Sequence, residues 1–217
     1  MILGIYGSGG LGREVLELAK QINTTENRWT EFVFINDVNK TFELKGNKVF
    51  TFVEIKEKYN PKNIEIVIAV GEPQLRRIFR ETVCLAGFKL ATLIHPTAQI
   101  YSDTVMGAGT VVNCNCWISC DIVIGENVYI QPSVLIGHDT TVGNDTVISP
   151  CIIAGGCNIG NEIYIGLSAT IKEKIKVGNQ AIIGMGSVVL RDVPAELVVL
   201  GNPAKVIAKN EEHRVFK

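Results

Sequence analysis

The chain has 217 residues, enough for one large domain or two small ones that bury a core without metal or disulfide staples. Its 21 Lys and Arg balance 22 Asp and Glu to a formal charge of −1, so nucleic acid is disfavoured as a partner. The opening Met1-Ile-Leu-Gly-Ile-Tyr-Gly7 lacks a basic region, and no apolar run approaches the roughly 20 residues of a spanning helix. These features predict a soluble, cytoplasmic protein, in which the six cysteines are reduced, small core residues rather than a disulfide framework.

Residues 1 to about 92 alternate short apolar runs with amphipathic stretches, the pattern of βαβ units on a parallel sheet. Strands are predicted at Ile2–Tyr6, Glu31–Ile35 and 64–70, with a short fourth at 90–94. Between them, 13–21 sets Val15, Leu16, Leu18 and Ala19 on one helical face, and 73–86 repeats the pattern with Leu75, Ile78, Phe79 and Val83. The prediction is a small Rossmann-like domain over residues 1–92.

From Ile94 onward the apolar period becomes six. Ile94, Ile100, Met106, Val112, Ile118, Ile124, Ile130, Ile136, Val142 and Ile148 form one series, and Ile153, Ile159, Ile165, Ile171, Val177, Ile183 and Val189 a second, joined by one five-residue step. Glycine follows many anchors, as at Gly107, Gly125, Gly137, Gly143 and Gly160, and small or β-branched residues such as Thr110, Val128 and Ala169 come four places after them. A helix cannot hold a period of six and a free-standing strand alternates with a period of two. Three short strands per coil, stacked coil on coil, satisfy the pattern, with glycine favoured at tight corners. Residues 93–217 are therefore predicted to be a left-handed parallel β-helix of hexapeptide repeats, about five coils of ~18 residues each. The fold class is α/β plus all-β, and by analogy of fold the architecture points to acyl-CoA-dependent acyl transfer. The segment 192–205 and the charged tail to Lys217 are expected to cap the last coil and cover its strand edge.

Gly7-Ser-Gly-Gly-Leu-Gly12 fits G-x-G-x-x-G between a strand and a helix, where free backbone N–H groups meet a phosphate. An NAD reading would set Asp37, beside Asn36, on a ribose. The domain is only half of a dinucleotide fold, so a mononucleotide fits better, and a simple tight turn is the alternative.

His138 and Asp139 interrupt a repeat of apolar, glycine and hydroxyl residues without breaking its spacing, which places them at an outward or corner position. Imidazole titrates near neutral pH, and an adjacent carboxylate fixes its tautomer and stabilises its charged form. Of the three histidines, His95 lies at the domain junction and His213 in the tail, so His138 is the best candidate base; a solvated surface His is the alternative. Ala154-Gly-Gly-Cys157 follows about one coil later and coincides with the five-residue step. A freed amide there, that of Gly155, is expected to receive the oxyanion of a tetrahedral intermediate. Cys114, Cys116 and Cys120 match no standard zinc spacing, so no metal is expected.

Ile5-Tyr-Gly-Ser-Gly-Gly-Leu-Gly-Arg-Glu14, Ile35-Asn-Asp37, Ile68-Ala-Val-Gly71, Leu93-Ile-His-Pro96, Gly137-His-Asp139 and Gly201-Asn-Pro-Ala204 together resemble the NeuD/PglD-type sugar acyltransferases over nearly the whole chain. The resemblance implies homotrimers with acetyl-CoA as co-substrate in the cleft between adjacent β-helices. It implies His138 as base, Asp139 as its support and an amide near Gly155 holding the acetyl oxygen. Acetyl-CoA contacts carry over to Gly155, Gly156, Gly166, Leu167, Gly184 and Met185. Nucleotide-sugar contacts carry over to Gly7, Ser8, Gly9, Asn36, Asp37, Gly71 and Arg76, with Asn36 replacing an acid found in some relatives. A smooth prism has no pocket of its own, which favours intersubunit sites independently.

The expected reaction is transfer of acetyl from acetyl-CoA to the 4-amine of a UDP- or dTDP-linked 4-amino-4,6-dideoxy sugar. The rivals are a sugar O-acetyltransferase, which would prefer hydroxyl acceptors, a non-catalytic nucleotide-sensing assembly protein, which would release no thiol, and an NAD enzyme, which needs a second nucleotide half.

Overall fold

A computed structural model describes residues 1–38 and 42–216. Its first part is a six-stranded sheet flanked by helices. β1 (Ile2–Tyr6), α1 (Gly10–Glu26), β2 (Glu31–Ile35), β3 (Glu43–Leu44), β4 (Asn47–Phe50), α2 (Phe52–Lys58), β5 (Ile64–Ile68), α3 (Pro73–Leu85) and β6 (Lys89–Leu90) follow in chain order. The sheet runs β3-β4-β2-β1-β5-β6, parallel except for the β3–β4 pair. β1 is central, and Leu3, Ile5, Val33, Ile66 and Val67 are fully buried because helices cover both faces.

The predicted strands and the two predicted helices are present. The 90–94 run divides: Leu90 ends β6, whereas Leu93–Ile94 is already the first strand of the β-helix. The β3–β4 hairpin and α2 were not anticipated from the pattern. α2 has seven residues, too few turns to display a period, and is held by a capping box in which Thr51 and Glu54 bond reciprocally.

Beyond residue 92 the chain winds through two-residue strands that build three parallel walls of a prism. The first wall starts at Leu93–Ile94, the second at Gln99–Ile100 and the third at Val105–Met106. The second residue of each pair is the anchor, and Val112, Ile118, Ile130, Ile136, Ile148, Ile153 and Ile165 are fully buried. Each such burial contributes about 1.5–3 kcal/mol. Ile94 is 40% exposed because its coil ends the prism.

The glycines after the anchors work differently from the corner role expected of them. A Cβ on Gly137 would lie 2.5 Å from the Gly155 nitrogen of the coil above, so these positions are set by close approach of backbones. The left-handed residue of each corner comes two places later: Asn115, Asp121, Asn127, Asp139 and Asp145 all have φ near +55 to +60, a region that Asn and Asp tolerate.

The two parts are packed together. Leu93, Val111, Tyr129 and Val147, on the outer side of the first wall, share one core with Val15, Leu18, Ala19 and Ile22 of α1. α3 brings three arginines to the edge between the third and first walls. Arg77 meets Glu162 at 3.1 Å, Arg80 meets Asp145 at 2.8 Å, and Arg76 grips Asn127.

The end of the chain caps the last coil as expected up to Asn210 and departs from that role beyond it. A hairpin of Leu197–Leu200 and Lys205–Lys209 extends the first wall, and it is this hairpin that closes the edge with lysines. The tail runs instead to the N-terminal part, where Val215 and Phe216 donate to Glu72; Lys217 lies outside the described residues. No helix among the described residues is long and apolar enough to cross a membrane.

Candidate active site

Corners 137–140 and 154–157 join the second wall to the third in adjacent coils. His138 takes the outward second position, with its side chain 63% exposed. Asp139 follows in the left-handed conformation, φ 56, which turns its carboxylate back onto the ring. Its Oδ2 lies 2.7 Å from His138 Nδ1. With Nδ1–H donated to an ionised carboxylate, Nε2 is the nitrogen left to accept a proton.

Directly above sits the next corner. Gly156 donates its N–H to His138 O at 2.7 Å, and a Cβ on Gly155 would lie 2.7 Å from His138 Nε2. Only glycine leaves the imidazole where it is. The Gly155 N–H has no acceptor among the described residues. On the neighbouring edge the equivalent amides are taken: Glu126 by Asn144, Asn144 by Asn161 and Asn161 by Asn179. A free donor and a free imidazole nitrogen therefore lie at adjacent corners of one edge.

The five-residue step is not at this corner. Tyr129 pairs with Val147, eighteen places on, but Leu135 pairs with Ile152, seventeen places on, so the missing residue falls in corner 149–151. That corner joins the first wall to the second and includes Pro150, whose carbonyl accepts Ser168 N–H at 2.7 Å. The shortening lies on the edge that carries Gly166, Leu167, Gly184 and Met185. Leu167 is 47% and Met185 67% exposed there. Within one chain these four residues and His138 lie on different edges and do not meet.

At the C-terminal end of β1, a cleft of about 660 Å³ is lined by Gly7, Ser8, Gly9, Asn36, Asp37 and Gly71, among others. Six of the seven residues assigned to a nucleotide sugar thus share one cavity. Asn36 Nδ2 donates to Ser8 Oγ, and Asn36 Oδ1 accepts Val38 N–H at 2.8 Å. Asp37 accepts from Phe52 N–H at 2.8 Å and from the Tyr6 hydroxyl. Burial and the Asp37 carboxylate hold that hydroxyl well above the usual phenol range, so it stays a donor.

Arg76 is the exception. Its side chain is fully buried, with Nη1 on the carbonyls of Ile68 and Val70 and Nε and Nη2 on Asn127. Burial pulls the guanidinium down to about 10, against the favourable field of Asp145, so it is still charged at neutral pH. Arg76 is a bracket between the two parts and is closed to a ligand in the cleft. The residues that the sequence reading missed are Glu72, Arg214 and Phe216, which line the cleft beside Gly71. No local pattern announces the two from the tail, because their place depends on a return across the whole chain.

The cysteines divide. Cys116, Cys151 and Cys157 are buried, but Cys114 and Cys120 are half-buried and Cys84 is exposed, so the expectation of core residues holds for three of the six; none is paired. Burial pushes Cys116 up to about 11 and Cys151 up to about 12, which keeps both as unreactive thiols. Cys114 and Cys120 sit on different edges. Cys120 instead joins Asp103 and Asp121, their ligand atoms within 4.8 Å of one another.

Residues 3–83 match the family model described as PglD N-terminal domain, and residues 121–155 the bacterial transferase hexapeptide model. GDP-perosamine N-acetyltransferase of Escherichia coli O157:H7 is 30% identical over 202 residues, 92% of this chain and 83% of that protein. The chain belongs to the NeuD/PglD-type sugar acyltransferase family. Among solved structures of similar proteins, the acetyltransferase domain of PglB from Neisseria gonorrhoeae FA1090, in complex with acetyl coenzyme A, superposes with a TM-score of 0.89. It is 31% identical over 95% of this chain and 98% of that one. PerB from Caulobacter crescentus, in complex with CoA and GDP-perosamine, gives 0.86 at 25% identity over 96% and 98%. The match to 2,3,4,5-tetrahydropyridine-2,6-dicarboxylate N-acetyltransferase of Clostridium perfringens is confined to 56 residues at 45% identity. It spans 26% of this chain and 24% of that protein.

Replacing Gly155 by Ala places a methyl group on the imidazole. A displacement of about 1 Å at a reacting group costs on the order of 10² in rate. Gly155→Ala is therefore expected to lose about 100-fold in kcat/KM while its melting temperature stays within a few degrees of wild type, measured by steady-state kinetics and thermal melting.

Proposed function

We propose that the protein transfers an acetyl group from acetyl-CoA to the 4-amine of a nucleotide-linked 4-amino-4,6-dideoxy sugar, directly and without an acyl-enzyme. The observation that carries this reading is the His138–Asp139 pair with Nε2 open over Gly155. The amine lone pair attacks the thioester carbonyl and a C–N bond forms. His138 Nε2 takes the amine proton, and Asp139 stabilises the resulting imidazolium. The oxyanion receives the Gly155 N–H. The intermediate then expels the CoA thiolate by breaking the C–S bond, and the imidazolium gives its proton to the thiolate sulfur, leaving the amide, free CoA thiol and neutral His138.

The site is completed between copies of the chain. Edges carrying His138 and edges carrying Leu167 and Met185 are separate in one protomer, and a three-fold assembly would set one against the other in three equivalent clefts. Exposed Leu135 and Ile152, on the outer side of the second wall, favour such an assembly. The nucleotide occupies the cleft at Gly7, Ser8, Gly9, Asn36, Asp37 and Gly71, and acetyl-CoA lies along Gly155, Gly156, Gly166, Leu167, Gly184 and Met185. The complexes of PglB with acetyl coenzyme A and of PerB with CoA and GDP-perosamine support the choice of these two kinds of ligand by similarity. The reaction belongs in the cytoplasm, which holds both small molecules.

UDP and dTDP are the expected carriers, and the relatives named for GDP-perosamine add GDP to the test. Thermal melting with GDP, UDP and dTDP, each with and without CoA, should raise the melting temperature for at least one nucleotide, since a ligand that binds only the folded state stabilises it. Thiol release should then require acetyl-CoA and an amine-bearing acceptor together. Thiol release with hydroxyl sugars alone would favour the O-acetyl reading, and none with any acceptor would favour the assembly protein.

A further inference from the structure

Residues 210–216 are held at both ends. Asn210 is 7% exposed and ties the segment to the last coil: its N–H donates to Glu196 O at 2.8 Å, its Nδ2 to Gln180 O at 2.9 Å, and its Oδ1 accepts Arg214 N–H at 3.0 Å. At the other end the Glu72 carboxylate accepts Val215 N–H at 3.0 Å and Phe216 N–H at 3.1 Å. Glu72 is 7% exposed, and these two amides are its side-chain partners among the described residues. Phe216 then stands edge-on to Tyr164, with centroids 5.4 Å apart, and against Gly71, where a Cβ would be 3.5 Å from its ring. The strap is one wall of the cleft.

Charge decides what this wall can do. Among the described residues that line the cleft, Arg214 is the cation and Asp37 and Glu72 are the acids. Asp37 is engaged by Tyr6 and Phe52, and Glu72 by the strap itself. Arg13, close by in sequence, faces the neighbouring hollow with Glu14 and Glu17. A diphosphate entering at the N-terminus of α1 meets amides from the glycine loop, and among the described residues that line the cleft its formal counter-charge has one source, Arg214.

We propose that Arg214 pairs with the diphosphate of the acceptor and that the strap clamped by Glu72 is part of the nucleotide site. The inference rests on the reading that this cleft takes a nucleotide-linked sugar. It explains why Glu72 spends a buried carboxylate on main-chain amides of the tail: the clamp fixes Arg214 at the mouth of the glycine loop.

Calorimetric titration of wild type, Arg214→Gln, Arg214→Lys and Glu72→Gln with GDP, UDP and dTDP, with the corresponding nucleosides, and with CoA tests this. For whichever diphosphate binds wild type, Arg214→Gln is expected to weaken binding at least tenfold, with nucleoside and CoA affinities unchanged. Arg214→Lys should retain most of the affinity, and added salt should weaken wild type more than Arg214→Gln. Glu72→Gln should weaken diphosphate binding and speed exchange of the Val215 and Phe216 amides. Diphosphate affinity within twofold of wild type in Arg214→Gln, or equal loss of nucleoside and diphosphate, overturns the assignment. If none of the three diphosphates binds wild type, the nucleotide reading fails and takes this one with it; a binding wild type with an indifferent Arg214→Gln sinks this one alone.

Discussion

His138→Ala is expected to lower kcat by 10²–10⁴ while leaving the dissociation constants of acetyl-CoA and of the nucleotide within about threefold. The separation of effects follows from the geometry. His138 stands at an exposed corner with Asp139 on one ring nitrogen and open space on the other, so truncation removes neither a core contact nor a strand pairing. Its carbonyl still accepts Gly156 N–H and keeps the coils in place. A loss below tenfold in single-turnover kinetics would exclude His138 as the base and would return the corner to ordinary solvated surface.

Arg76→Leu is the second large effect, and it should appear in stability. The guanidinium donates to the carbonyls of Ile68, Val70 and Asn127 in an interior closed to water. Leucine matches some of the volume but leaves those acceptors, and the Asn127 side-chain oxygen beside them, without a donor. Removing one side of such a buried charged network costs about 3–5 kcal/mol. For a chain of this size that lowers the melting temperature by roughly 10 °C. Arg76→Lys should recover little, because one ammonium cannot reproduce the planar fork that spans both parts. Had Arg76 been a ligand contact, the nucleotide KM would rise with the melting temperature unchanged, so thermal melting beside kinetics separates the two roles.

Arg76 also marks where the sequence stops being informative. Its partners Asn127 and Asp145 are left-handed corner positions one coil apart, and Glu162 continues their column to meet Arg77. The column repeats every coil, but a polar residue at a corner reads as solvated until a helix is known to lie against it. The anchors were legible for the opposite reason: a period of six has one structural solution, and burying isoleucine enforces it at every turn. His138 and Asp139 were legible because they break that composition and touch each other as chain neighbours. The five-residue step was visible, yet which corner it shortened was fixed only by strand pairing, Leu135 with Ile152. The return of the last tail residues to the N-terminal part is not legible, because Glu72 and Phe216 are 144 residues apart and no periodicity links them.

Whether a nucleotide-linked amine takes the acetyl group is decided by the product. Wild-type protein is to be incubated with acetyl-CoA and GDP-, UDP- and dTDP-linked 4-amino-4,6-dideoxy sugars, and the products resolved by mass spectrometry and NMR. One added acetyl group per sugar is expected, bonded to the C4 nitrogen, with one equivalent of CoA released. Acetyl found on oxygen, or release of CoA without acetylated sugar, would contradict it.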